Sequence, residues 1–550
     1  MEFDLVRVHD TIARTLPDRE AIVWRDRRLT HAQVADRSRR LARVLLDQGV
    51  TVHRERESLA GHEVGQDRIG LYLRNGNEYL EGMLGAWRAR AAPFNVNYRY
   101  VDEELLYLFE NAGARAIVYH ASFAPRIAAI RDRLPALELL IQVADESGEP
   151  LLEGALDYEQ ALAAASDAPH GVEPSPDDLY ILYTGGTTGM PKGVLWRGAD
   201  IFMTAFGGRA FDGSTVESYE ALAERVAKAP PIRALIGPPL MHGAAQWGTF
   251  STWNSGGTVV FPDETDRLDA KDLLSVVERE RCVTISAVGD AFARPLIDEI
   301  ERGDYDLSGL AAYSNGGAPL SAKNKARILE LLPHVIVIDG IGSSEGGVQG
   351  ASATTKGGAV ESGSFKPTAG GVVVSEDLSR VLPSDSTELG WFAQKGYVPL
   401  GYLGDAEKTR RTFPVIEGAR FAVPGDRARY RADGTIEVLG RDSQTINSGG
   451  EKIFAEEVES AVKAHPDVFD AVVTGRPSER WGQEVVAIVQ LREGAAEDPG
   501  ALREEAARHV ARYKLPKDFV FRPKIERSPS GKADYRWAKA QAEAGAEAGQ

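Results

Sequence analysis

Between Tyr183 and Gly193 the chain reads Tyr-Thr-Gly-Gly-Thr-Thr-Gly-Met-Pro-Lys-Gly. Hydroxyls at Thr184, Thr187 and Thr188 are interleaved with Gly185, Gly186 and Gly189, and Lys192 follows. Glycines permit positive φ and bring backbone N–H groups close to an anion. Hydroxyls add donors, and the lysine adds a mobile positive charge. The combination suits a polyphosphate. It is not the GxxxxGK[ST] loop, because Pro191 precedes the lysine and Gly193 follows it.

Other residues acquire a role only through their neighbours. His242 follows an apolar run, where a histidine usually packs or caps. Asp426 follows Gly425, where an aspartate is usually a turn residue. Lys532 closes Arg527-Ser-Pro-Ser-Gly-Lys, a Pro/Gly turn in which a lysine is ordinarily solvated. Cys282, the only cysteine, sits beside Val283 and Ile285 and reads as a buried small hydrophobe.

The elements that must hold these residues alternate. Leu179 to Tyr183 is an apolar strand, and Val194-Leu195-Trp196 returns beside it. Before them, the apolar runs at 21–24, 68–73 and 116–119 alternate with helix patterns over His31–Gln48 and Asn77–Ala91. That is the rhythm of a layered α/β domain. A polar loop is expected over 51–66 and a helical surface excursion over Ala210–Ala229. Strands at Val283–Val288, Ala312–Pro319 and from Val335 end in glycines, where α/β sheets bind ligands. The stretch 354–383 reads as a small β lobe, and Thr435–Leu439 as a last strand before a domain boundary at 440. Beyond it, the helix Ala455–Ala464 and strands around 471–474 and 485–490 make a compact α+β unit of about a hundred residues. The Ala/Glu/Gly-rich end, Ala538 to Gln550, is expected to fray. The fold class is therefore α/β, with a large multi-lobed domain over 1–440 and a small mobile α+β domain over 441–550.

Taken in order, these motifs resemble the adenylate-forming enzymes: acyl-CoA synthetases, aryl-CoA ligases, peptide-synthetase adenylation domains and beetle luciferases. The likeness spans nearly the whole chain and leans towards actinobacterial fatty acyl or steroid side-chain CoA ligases. It implies ATP, Mg²⁺ and CoA as ligands, and a carboxylic acid that is adenylated and then passed to a thiol. By this resemblance 184–189 and Lys192 form the phosphate loop, and His242 lies near the carboxylate. Gly317-Ala318-Pro319 is the adenine-side segment, and Ile341-Gly342 leads into Ser344 at the α-phosphate and Glu345 at Mg²⁺, with Thr184 assisting. Asp426 takes the ribose, Arg441 a phosphate, Gly449-Gly450 the pantetheine arm, and Lys532 is the mobile catalytic lysine. Ile341 stands where an aromatic is usual, Pro424 where a threonine is, and Ser443 where the hinge Asp or Lys is commoner. A ligase that loads a carrier-protein thiol, and a non-catalytic acyl or nucleotide binder, stay open as alternatives.

A formal charge of −17 argues against nucleic acid and anionic membrane surfaces as partners. The apolar fraction of 43% is ordinary for a globular protein, no run reaches the ~20 apolar residues of a membrane span, and the N-terminus lacks a signal-peptide pattern. A cytoplasmic location is expected, with a homodimer left open. Pocket walls are expected from Ala244, Trp247, Phe250, Val288, Phe292 and Gly340. No cation among these landmarks is free to receive a second carboxylate, so diacids are expected to be poor substrates. Ser443→Pro, which fixes φ near −65°, should spare one half-reaction and slow the other; parental rates in both would remove residue 443 as the pivot.

Overall fold

The computed structural model describes the chain except residues 167, 169, 187, 188, 210–212, 449, 450, 479, 480, 528–531, 549 and 550. Among the described residues the strands form three sheets. In the first, Glu20–Trp24, Thr258–Val260, Arg233–Ile236, Thr284–Ala287, Ala312–Asn315 and Ile336–Ser343 lie parallel in that order. The second carries Leu179–Gly186 and Gly189–Arg197 as an antiparallel hairpin beside a parallel set, Ala92–Asn95, Arg68–Tyr72, Ala114–His120 and Leu139–Val143.

The helices His31–Asp47, Asn77–Arg88 and Gly243–Asn254 share one apolar core with strands of both sheets. The sequence dictates this layer. Thr30 and Gln33 close a capping box at the first helix, with Gln33 N–H on Thr30 Oγ1 at 3.3 Å and Thr30 N–H on Gln33 Oε1 at 2.8 Å. Every residue of Asn77–Arg88 is buried, and a Cβ on Gly85 would stand 2.8 Å from Leu41 Cδ2, so glycine lets the two helices meet.

Beyond Ser343 the first sheet turns antiparallel and continues into a β lobe containing Gly371–Val374, Gly390–Lys395, Asp426–Tyr430 and Ile436–Arg441. A short 3₁₀ turn, Asp442–Gln444, carries exposed Ser443 and leads to Thr445–Ser448, a strand of the third sheet. That sheet pairs Val468–Ser478 with Gly482–Leu491 and adds Asp518–Phe521 in parallel.

Two expectations are corrected. The chain does not fray over Ala538–Ala548, because Tyr535–Ala548 is a helix, and residues 549 and 550 of that expectation lie outside the described residues. Ala538 and Ala542, one turn apart, are fully buried against Val472, Val486, Ile488 and Val520. Small residues at that spacing let a helix sit close on a sheet, which composition alone conceals. The excursion before Ala229 is helical only over Tyr219–Lys228, and its Leu222 and Val226 are buried in the main core rather than solvated. Residues 210–212 of that expectation lie outside the described residues.

The core also holds two imidazoles. His9 and His31, 2% and 0% exposed, lie 6.2 Å apart between ring centroids beside Trp253. None of their ring nitrogens has a hydrogen-bond partner among the described residues. Burial, helped by Arg19, pushes His31 down to about 4, and burial with Arg88 pushes His9 well below the usual range, Asp10 opposing. An unfolded histidine titrates near 6.5. The folded form thus binds fewer protons, and the stability of the neutral pair is complete above about pH 6.5 and lost as pH falls towards 4. A His9→Phe/His31→Phe variant should show a flatter urea midpoint between pH 7 and pH 5; a slope equal to the parent's would rule this out.

Candidate active site

The phosphate-loop hairpin is a register statement: Thr184 faces Lys192, and Gly186 faces Gly189. Thr187 and Thr188 lie outside the described residues. Lys192 Nζ meets Asp405 Oδ2 at 3.1 Å. Asp405 also caps the helix Ala406–Thr412, accepting from Lys408 N–H at 2.9 Å. Asn95 ties the hairpin down. Its Oδ1 accepts from Tyr183 N–H at 2.7 Å, and its Nδ2 donates to Tyr183 O at 2.9 Å and to Met241 O at 2.7 Å. One buried amide therefore fixes the strand entering the loop relative to His242.

A second turn delivers Glu345. Between the strands Ile336–Ser343 and Gly347–Thr354 the chain passes so close to itself that a Cβ on Gly342 would lie 2.2 Å from Gly347 O. Trp196 Nε1 donates to Ser344 O at 2.9 Å, binding this turn to the hairpin. Tyr402 Oη donates to Glu345 Oε1 at 2.6 Å, and Lys408 Nζ stands 4.2 Å above the Tyr402 ring. Ile341 is half-buried and packs towards the β-lobe core of Val373, Phe392 and Tyr430.

In the segment expected to face adenine, Gly317 takes φ +82°. Asn315 anchors the segment: its Oδ1 accepts from Gly289 N–H at 2.6 Å, and its Nδ2 donates to Ala318 O at 3.1 Å and Asp339 Oδ1 at 2.7 Å. Lys325, buried, closes the network on Asp339 Oδ2 at 3.2 Å. Pro319 O accepts from Asp290 N–H at 3.2 Å. Across the cleft, Asp426 and Arg441 are cross-strand partners, with Arg441 Nε 3.3 Å from Asp426 Oδ1. Asp426 first, then Glu345 and Glu456, hold Arg441 above its usual range against the effect of burial.

Lys532 arrives from the small domain. Its side chain is exposed, with the charges of Arg441, Glu345 and Asp426 acting on the amine. Burial pushes it below the usual lysine range, Arg441 adds to the fall, and Glu345 and Asp426 oppose it. His242, at the N-cap of Gly243–Asn254, is buried with Nε2 unpartnered among the described residues. Burial takes it down to about 3, and the charges of Lys532 and Arg99 add to the effect. Its imidazole is therefore neutral. Residues separated by almost three hundred positions, His242, Glu345, Asp426, Arg441 and Lys532, act electrostatically on one another in one cleft.

The pocket walls divide. A Cβ on Gly317 would lie 3.7 Å from Ala244 Cβ and 3.8 Å from Val288 Cγ1, so these three border one space. Phe292 and Gly237 line an adjoining cavity with Asn75 and Arg99. Phe250 stacks on Phe206 at 4.5 Å and meets Trp87 and Trp253 in an aromatic cluster. Arg99 was not anticipated, and it brings a cation within electrostatic reach of His242. Gly449 and Gly450 lie outside the described residues. Among the described residues no cluster of three or more His, Cys, Asp or Glu could cage a metal. The single carboxylate of Glu345 fits an ion held mainly by substrate phosphates, as Mg²⁺ commonly is.

Sequence reasoning missed Asn95, Asn315, Tyr402, Asp405 and Lys408. Gly401-Tyr-Leu-Gly-Asp405 carried a usable signal, an aspartate placed to cap the helix that follows it.

The profile described as "AMP-binding enzyme" matches residues 9–387, and that described as "AMP-binding enzyme C-terminal domain" matches 457–532. The chain is 58% identical over 541 residues to the medium-chain acyl-CoA ligase Mig of Mycobacterium avium, covering 98% of each. It is 41% identical over 532 residues to the medium/long-chain-fatty-acid–CoA/3-oxocholest-4-en-26-oate–CoA ligase of Mycobacterium tuberculosis, covering 96% of this chain and 94% of that one. Its fold matches the crystal structure of the anthranilate CoA ligase AuaEII in complex with anthranoyl-AMP, with a TM-score of 0.82 at 22% identity over 99% and 98% of the two chains. The profile match over most of the length and the identity to these relatives give one conclusion: the chain belongs to the AMP-binding enzyme family.

Proposed function

We propose that the protein is an AMP-forming acyl-CoA ligase acting on an apolar carboxylic acid of medium or long chain, or on a steroid side-chain acid. The observation that carries this reading is the meeting of Lys532 with Glu345, Asp426, Arg441 and His242 in one cleft. The two mycobacterial relatives, ligases by name, support the substrate class.

A carboxylate is a poor acyl donor because its leaving group would be oxide. Attack of a carboxylate oxygen on the α-phosphorus of ATP, with pyrophosphate leaving, replaces that group by AMP. Negative charge gathers on the phosphate oxygens during this step. Lys532 and Arg441 offer cations there, Thr184 and Ser344 offer donors, and electrostatic stabilisation by such preplaced groups is the main source of rate. Mg²⁺ held at Glu345 would neutralise phosphate charge when bound. Asp426 accepts the ribose hydroxyls, while Gly317, Ala318, Pro319, Ile341 and Gly342 frame the base. Neutral His242 lies beside the carboxylate and adds no proton to it. In the second step the CoA thiol attacks the acyl-adenylate carbonyl and AMP departs, with Gly449 and Gly450 flanking the pantetheine arm. We place the domain boundary at 440/441 and the pivot at Ser443, where one sheet gives way to another. The sole thiol, Cys282, is buried and raised to about 12, which fits a reducing cytoplasm, where we locate the enzyme.

Pyrophosphate release that depends on both acid and CoA, measured across acids from acetate to sterol-derived acids, tests the reading. Acid-dependent release without any CoA thioester would transfer the activity to a carrier-protein thiol, and no release at all would leave a binder. Lys532→Ala should weaken adenylation by roughly 2.7–4 kcal/mol, as expected for a lost oxyanion donor, and spare thioester formation from supplied acyl-adenylate. Equal losses in both steps would contradict that role.

Pocket size gives a second expectation. Each methylene that fits adds about 0.8 kcal/mol of binding. Ala244→Phe, which fills the space facing Gly317 and Val288, should cut kcat/KM for octanoate and longer acids while sparing acetate. A wild-type preference for acetate, or for a diacid held by Arg99, over an eight-carbon acid would overturn the apolar reading.

A further inference from the structure

The helix Gly289–Arg302 starts at the adenine-side segment and points towards the small domain. Asp290 braces the segment: its N–H donates to Pro319 O, and its Oδ1 accepts from Ser321 N–H at 2.9 Å and from Ser321 Oγ at 3.0 Å. One turn later Arg294 places Nη2 3.0 Å from Asp290 Oδ2 and Nη1 3.4 Å from Asp470 Oδ1, with its guanidinium 5.0 Å from the centre of the Phe469 ring. Asp470 and Phe469 belong to the strand Val468–Ser478 of the small domain.

Asp470 continues the chain of contacts. It accepts from Arg527 Nε and Nη2, both at 2.7 Å, and Lys463 Nζ lies 3.5 Å from its Oδ1. Arg527 in turn forms an isolated antiparallel bridge with Ala533, the residue that follows Lys532. Pro319, Asp290, Arg294, Asp470 and Arg527 thus link the nucleotide side of the large domain to the base of the lysine loop. The side chains of Asp290, Arg294 and Asp470 are 5–7% exposed, so salt and water screen them little.

Without Arg294, each domain stays internally paired. Asp470 keeps Arg527 and Lys463, and Asp290 keeps Ser321. What disappears is the direct tie between Asp290 and Asp470, while Lys323 on His465 O and Pro466 O, both at 3.3 Å, and Lys452 on Glu376 still join the domains. Buried ionic groups are a poor source of net stability but can specify one arrangement over others.

We propose that Arg294 is a positioning residue for adenylate formation: it seats the Asp470–Arg527 pair of the small domain against the adenine-side segment and thereby holds Lys532 at Glu345 and Asp426. The proposal rests on the reading that Lys532 serves adenylation. The test uses the full chain with Arg294→Gln and Arg294→Lys, and compares acid-dependent ATP–pyrophosphate exchange with thioester formation from synthetic acyl-adenylate. A dye pair on Glu301→Cys and Glu493→Cys, both exposed, reports the domain separation without substrates, since Cys282 is buried. Arg294→Gln should lower exchange roughly tenfold or more, a modest share of what losing a buried charge partner can cost. Thioester formation should stay within about twofold of the parent, the dye-distance distribution should broaden, and Arg294→Lys should recover part of both signals. Unchanged exchange with unchanged distances would overturn the proposal. So would a parallel fall in both half-reactions with a lowered thermal midpoint, which marks a merely structural residue. If the parent shows no acid-dependent exchange, the adenylation reading fails by itself, and the dye distances still decide whether Arg294 sets the domain orientation.

Discussion

Lys532 and Arg441 repel each other. Their coexistence in one crowded cleft rests on Asp426 and Glu345, the two carboxylates that face them. Of these four groups Asp426 and Arg441 stand 3.3 Å apart, and the 40% exposure of the Arg441 side chain lets solvent screen their attraction. The rest of the architecture serves to hold that balance. The Gly342–Gly347 turn presents Glu345, the Asp426–Arg441 cross-strand pair presents its two charges together, and the small domain supplies the amine. A protein with a formal charge of −17 thereby keeps a local pair of cations for an anionic nucleotide.

Much of the fold was legible because it is written in local patterns. The capping box at Thr30, the strand–loop–strand hairpin around 184–192 and the glycine-ended strands are each contained in a dozen residues. The tail helix was not, because Ala538 and Ala542 look like solvent-tolerant filler until Val472 and Val520 lie beneath them. The aromatic neighbours of Phe250 were hidden for a related reason. Helix periodicity places it near Trp247, and only the arrival of Phe206 from another helix connection decides which way it faces.

The site shows the same division. Motif residues such as Lys192, Glu345 and Lys532 are proposed from the resemblance of their motifs to those of the adenylate-forming enzymes. Residues that orient them could not be named in that way, because Asn95 acts on Met241 and Tyr402 acts on Glu345 across long separations. Asp290 and Arg294 form an ordinary i,i+4 pair by spacing, indistinguishable in sequence from a surface pair. The third partner, Asp470, lies 176 residues away and turns that pair into a buried inter-domain contact.

The helix Tyr535–Ala548 follows the lysine loop and is packed as core, while the large sheet and the β lobe are complete by Arg441. Domains generally fold in the order in which a ribosome delivers them. A nascent chain can therefore carry a finished nucleotide-side cleft while its amine is still inside the exit tunnel. The lysine loop gains its downstream anchor only after the helix beyond it has emerged. The seating of the lysine loop is in this sense a late event in the life of each molecule, and an interrupted translation product ending before that helix would carry Lys532 without the buried Ala538 and Ala542 face behind it.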